Sequence, residues 1–170
     1  MEKQKRGCIL FDWGDTLMQV FPEFSGPMKD WPRVEAVTGA AEMLAALHAE
    51  WILALATNAV DSEEEDIRAA LQQADLERWV DKIYCFKTIG YKKPSCDFFA
   101  YILKDLGLSA EQVVMVGDDY EADVRGARRC GLKAIWFNAR STEDRTDEHE
   151  RTIHGLEALP KRITELFKAS

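Results

Sequence analysis

No cysteines in this sequence are spaced to grip a metal or to staple a small scaffold. Cys8, Cys85, Cys96 and Cys130 are scattered and form no CxxC pair. A zinc site or disulfide framework is therefore not expected, and a reducing, cytoplasmic compartment fits better. Positive charge is also scarce: 22 Lys and Arg against 30 Asp and Glu leave a net charge of −8. That balance argues against non-specific binding to nucleic acid or to an anionic membrane. Any phosphate site must then create its own local positive field. Long apolar runs are missing. The first, behind the charged stretch Met1 to Arg6, ends at Asp12, too short for a signal peptide or a membrane span. There is no internal repeat and no low-complexity stretch. The few histidines, His48, His149 and His154, fall where surface placement is expected.

What is present is an ordinary globular composition, 46% hydrophobic and 31% charged, in a chain of 170 residues. That is enough for one domain with a substantial core, and residues 1–170 are read as one. Four apolar runs each lead to a polar residue. They are Cys8 to Asp12, Ile52 to Asn58, the stretch before Lys93-Pro94, and Val113 to Asp118, with Asp123 five residues on. In chain order this supplies a carboxylate, a hydroxyl, an ammonium and an acidic pair. A carboxylate can attack phosphorus, a hydroxyl and an ammonium can hold phosphate oxygens, and acidic residues can hold magnesium.

Residues 8–12, 52–57, 82–86, 113–116 and 133–137 read as strands. Between them Ala40, Met43, Leu44 and Leu47 keep helical spacing, with Thr38 as the expected N-cap. Ser62 to Glu65 has the pattern of a capping box. A helix is expected to begin near Ser95, another to run from Tyr120 to Cys130 and close at Gly131, and a last one to follow Pro160. Residues 13–37, with Pro22, Pro27, Pro32 and four aromatics, read as a functional loop or small hairpin. Residues 140–152 read as an exposed polar loop. Alternating strands and helices predict an α/β domain with a mostly parallel sheet. Ligands bind such sheets at the carboxyl ends of the strands, where Asp12, Thr57 and Asp118 fall.

Phe11-Asp12-Trp13-Gly14-Asp15-Thr16-Leu17, Ala56-Thr57-Asn58, Gly90 to Pro94 with Phe98, and Val116 to Asp123 occur in that order on the expected elements. Together they resemble the four motifs of the haloacid dehalogenase-like (HAD) hydrolases, mostly magnesium-dependent phosphatases, over nearly the whole chain. The resemblance implies a three-layer Rossmann-like fold with a five-stranded sheet in the order 5-4-1-2-3. It implies that Asp12 attacks the phosphoryl group and becomes an aspartyl phosphate. Thr57, Asn58 and the neighbouring backbone would bind phosphate oxygens, and Lys93 would neutralise charge. Mg²⁺ would be held by Asp12, Asp118 and the carbonyl of Gly14, with Asp123 in the outer shell or orienting Lys93. The gaps where this family inserts cap domains are short here, so a capless member with 13–37 as a flap is expected. Such an open site admits a phosphorylated macromolecule, or a small substrate if a second subunit of a homo-oligomer forms the lid.

One position departs from the pattern. Family phosphatases usually place an acid–base aspartate two residues after the nucleophile, and here Gly14 stands there, followed by Asp15. Positioned acid–base catalysis contributes about 10²- to 10⁴-fold. Alkyl phosphates should therefore suffer more than aryl or acyl phosphates. Asp15 either swings in as a substitute or points away and holds the turn. The rival reading is a low-turnover protein of the same fold that binds a phosphorylated ligand or a protein partner.

Overall fold

The computed structural model describes residues 4–168, so Met1 to Lys3 of the charged N-terminal stretch lie outside it. Its sheet has six parallel strands: β1 Cys8–Phe11, β2 Ile52–Thr57, β3 Lys82–Cys85, β4 Val113–Gly117, β5 Lys133–Phe137 and β6 Glu150–Ile153. The order is β3-β2-β1-β4-β5-β6, which corrects the expected five strands. The addition is β6, in a region expected to be an exposed loop. Glu-Arg-Thr-Ile has little strand signature, yet Glu150, Thr152 and Ile153 are buried and the strand pairs with β5. A short edge strand carrying charge is a common way to blunt a sheet edge.

The helices are α1 Ala40–His48, α2 Glu64–Gln73, α3 Phe86–Ile89, α4 Cys96–Leu106, α5 Gly126–Arg129 and α6 Leu159–Lys168. Alternation along the central strands divides the core into two layers. Ile9, Phe11, Leu53, Leu55, Val114 and Val116 pack with α1, α2 and α6. Cys8, Leu10, Ala54, Ala56, Val113 and Met115 pack with α4 and α5. Both faces of β1, β2 and β4 are thus covered, which explains their unbroken apolar runs. Each large aliphatic or aromatic side chain so buried contributes about 1.5–3 kcal/mol.

Several local expectations shift. The N-cap of α1 is Gly39 at φ 84°, not Thr38, because the chain turns through the left-handed region there. The box at α2 moves one residue on: the Glu63 N–H donates to the Asp66 carboxylate. Tyr120–Arg125 is π-helical before α5 continues, whereas Gly131 at φ 87° ends the segment as expected. Cys96 and Cys130 form a disulfide between α4 and the end of α5, and Cys8 and Cys85 are free. The bridge corrects the expectation that no disulfide forms and removes the cysteine argument for a reducing compartment. No helix among the described residues is long and apolar enough to cross a membrane.

Candidate active site

Strand register gathers the site. Phe11 of β1 lies level with Leu55 of β2 and Val116 of β4, and the Asp12 N–H donates to the Val116 carbonyl at 2.9 Å. Asp12, Thr57 and Asp118 therefore emerge together at the carboxyl edge of the sheet. Lys93 arrives from the segment between α3 and α4, on a cis peptide to Pro94. Its ammonium is 2.9 Å from Asp12 Oδ1 and 2.7 Å from Asp123 Oδ1, with only 2% of its side chain exposed. Asp12, Asp118 and Asp123 offer carboxylate oxygens that all lie within 4.8 Å of one another.

The supporting contacts assign work to each side chain. Asp123 Oδ2 accepts from the Asp119 N–H at 3.1 Å, so both of its oxygens are engaged. This approach requires glycine at 117, where a Cβ would sit 2.0 Å from Asp123 Oδ2. Asn58 donates to the Lys93 carbonyl and accepts from the Lys93 N–H, at 2.9 and 2.8 Å. Its side chain thus helps to place Lys93. Thr57 is buried, and its hydroxyl accepts from the Ala59 N–H at 3.1 Å. Gly14, Thr57 and Asn58 line one cleft with Asp12.

Two groups carried no role in the sequence reading. The fully buried Thr16 hydroxyl lies 3.5 Å from Asp12 Oδ2 and 3.4 Å from Asp118 Oδ1. The Trp136 indole donates to the Asp118 carbonyl at 3.1 Å. Thr16 had one signal, its position four residues after the candidate nucleophile. Trp136 had none, since only the pairing of β4 with β5 brings it there. Asp15 turns away: it takes φ 57°, accepts from the Val20 N–H at 3.0 Å and pairs with Arg140 at 3.1 Å.

The charges are unbalanced, with three carboxylates around one ammonium. Burial works against the Lys93 charge, but Asp12 and Asp123 outweigh it and hold its pKa above the ordinary lysine value. Burial, and then the neighbouring Asp12, push Asp118 up to about 7. Burial also raises Asp123, against the pull of Lys93. Hard oxygen donors that outnumber the one ammonium beside them are a donor set that suits a small divalent cation. A larger cavity, about 560 Å³ around Lys133 and Phe167, lies by the amino end of β5 and shares none of these residues.

Comparison with known proteins agrees with this geometry. The sequence profile described as haloacid dehalogenase-like hydrolase matches residues 8–137. A ribulose-1,5-bisphosphate 5-phosphatase of Halopiger xanaduensis is 35% identical over 83 residues, 49% of this chain and 35% of that protein. The human phospholysine phosphohistidine inorganic pyrophosphate phosphatase is 47% identical over 61 residues, 36% of this chain and 22% of its own length. The chain thus matches about a third or less of these relatives' lengths. Among solved structures, a Listeria monocytogenes serotype 4b protein superposes with TM-score 0.82 at 24% identity, covering 95% of this chain and 99% of its own. Magnesium-bound YfnB of Bacillus subtilis superposes with TM-score 0.74 at 17% identity, covering 94% and 99%. At these identities the two structures speak to the fold alone. With the profile spanning most of the chain, including all four motif segments, the protein belongs to the haloacid dehalogenase-like hydrolase family.

Proposed function

We propose that the protein is a magnesium-dependent phosphohydrolase that works through an aspartyl phosphate on Asp12. The observation that carries this reading is the buried Lys93 ammonium between Asp12 and Asp123, beside the three-carboxylate cluster. An Asp12 oxygen attacks phosphorus, and the bond from phosphorus to the leaving oxygen breaks with its electron pair on that oxygen. Water then attacks the phosphorus of the aspartyl phosphate, releasing inorganic phosphate and restoring the carboxylate. Lys93 and Thr57 hold phosphate oxygens, and Asn58 contributes through its backbone while its side chain keeps Lys93 in place. Asp12, Asp118 and the Gly14 carbonyl would hold Mg²⁺, with Asp123 behind them. The bound ion would neutralise charge between the nucleophile and the phosphoryl group.

The short segments between the strands support the reading of a capless member, which would take a phosphorylated small molecule or macromolecule. Hydrolysis of an aryl phosphate should require Mg²⁺ and vanish in Asp12→Asn. Equal rates in excess chelator, or in that variant, would remove the mechanism. A low-turnover phospholigand-binding protein is the second reading. It draws on Asp15, whose carboxylate is tied to Val20 and Arg140 rather than offered to a leaving group.

A further inference from the structure

The cleft at Asp12 has a volume of about 270 Å³, and Val20, Met28 and Trp31 contribute to its apolar lining with Trp13 and Ala59. Ligand sites usually run from about 300 to 1,000 Å³, so this one suits a single ring rather than a large ligand. Its aromatic wall is fixed. The Trp31 indole donates to the Gly26 carbonyl at 3.0 Å, and its ring packs against Phe24 and Phe21 at 5.7 and 6.5 Å between centroids. The short helical turn Met28–Asp30 beside it is stitched to α2. Lys29 pairs with Asp66 at 2.6 Å, and Gln73 donates to the Lys29 carbonyl at 2.8 Å. A preorganised aromatic surface binds a planar ring without a further ordering penalty.

Charge narrows the choice. Among the described residues lining the cleft none is Lys, Arg or His, and Asp61 stands there instead. A second phosphate or a carboxylate on the substrate would meet negative charge, with Lys93 already engaged at Asp12. One buried side-chain polar atom among the described residues lacks a partner, Trp13 Nε1, and Trp13 also lines this cleft. An oxygen of a bound ligand is the kind of acceptor that would satisfy it. The leaving group follows the same direction: a phenolic oxygen has a pKa of about 10 and departs as the anion far more readily than an alkoxide.

We infer that this cleft selects aryl phosphate monoesters with an otherwise uncharged ring, seated against Trp31 with the phosphoryl group at Asp12; the inference rests on the phosphohydrolase reading. Asp12 forms its bond to phosphorus, the aryl oxygen leaves with the electron pair, and the phenolate takes its proton from water. The test compares kcat/KM for phenyl phosphate and acetyl phosphate, with Mg²⁺, in wild type, Trp31→Ala and Trp31→Phe. The phenyl-to-acetyl ratio should fall about tenfold in Trp31→Ala, through KM, and largely recover in Trp31→Phe. An unchanged ratio in folded Trp31→Ala would overturn the inference while leaving the phosphohydrolase intact. A second measurement needs no change in the wall: calorimetric titration of Asp12→Asn with phenyl phosphate and with inorganic phosphate. Phenyl phosphate should bind about tenfold more tightly, and equal affinities would overturn the assignment. Tighter binding without turnover of any phosphate by wild type would instead overturn the phosphohydrolase reading alone. A phosphotyrosyl peptide distinguishes sources. Turnover matching phenyl phosphate supports a ring presented by a peptide, and its rejection supports a free aryl phosphate.

Discussion

At position 14 a Cβ would lie 2.8 Å from Val20 Cγ2, whereas the next residue, Asp15, already sits at φ 57°, where glycine is comfortable. Restoring an acid by Gly14→Asp alone should therefore give a partial gain. Gly14→Asp with Asp15→Gly and Val20→Ala should do better, raising the alkyl-to-aryl ratio of kcat/KM about 10- to 100-fold. An unchanged ratio in folded variants would mean that the missing acid does not limit turnover. Losing the exposed Asp15–Arg140 pair should matter little for stability, about 1 kcal/mol or less. On the proposed mechanism the two acidic residues after β4 would divide their work. Asp123 is committed to Lys93 and to the Asp119 N–H, so Asp123→Ala should weaken Mg²⁺ binding only about tenfold, as the loss of a supporting contact does. Asp118→Ala should weaken it much further, and equal losses by calorimetry would contradict this division.

The elements that carry Lys93 and the acidic pair are joined twice. A Cβ at Gly126 would lie 2.6 Å from Pro94 Cβ, so the start of α5 packs directly on the residue after Lys93. The Cys96–Cys130 bridge then ties the first residue of α4 to the residue after α5. It closes a separation of 34 residues, for which the chain-entropy estimate is about 3–4 kcal/mol. Cys96 is exposed, so a dithiol should reach the bridge. Reduction, or Cys96→Ser, should lower stability by about that amount in denaturant titrations. Gly126→Ala should weaken the same junction through overpacking, by about 1–3 kcal/mol. An unchanged unfolding midpoint after complete reduction would mean that packing alone holds these elements.

Across the whole molecule, the excess of carboxylate at the site predicts how stability responds to pH. Asp118 is pushed up to about 7 from an ordinary value of 3.8, by burial and by Asp12, and Asp123 shifts in the same direction. A group whose folded pKa exceeds its unfolded one binds more protons when folded, so its contribution is fully present below the unfolded value and is lost as pH rises through the folded one. Chelated protein should therefore lose stability between about pH 4 and about pH 7. Lys93, held above 10.5, keeps its charge throughout that window and does not reverse the trend. Mg²⁺ should offset the loss, so its stabilisation in thermal unfolding should be larger at about pH 8 than at about pH 5. A chelated protein whose midpoint rises steadily over that range would contradict the placement of these carboxylates.

The sequence by itself determined five of the six strands, because an apolar run ending on a polar residue is a local signal. It also placed Asp12, Thr57 and Asp118 at strand ends, since the carboxyl edge of a parallel sheet follows from chain direction. Tertiary structure decided the rest. The contact of Lys93 with Asp12 spans 81 residues and depends on how the α3–α4 segment crosses the sheet edge. The π turn that returns Asp123 to Gly117, and the engagement of Asn58 with Lys93, are hydrogen-bond choices that composition does not reveal. The sixth strand escaped because Glu150 and Thr152 become buried only once β5 offers an edge and Tyr120 a hydroxyl, whose bond to Glu150 is 3.0 Å. The disulfide escaped for the same reason: Cys96 and Cys130 are distant in sequence, and only the packing of α4 on α5 brings their Cα atoms to 5.5 Å.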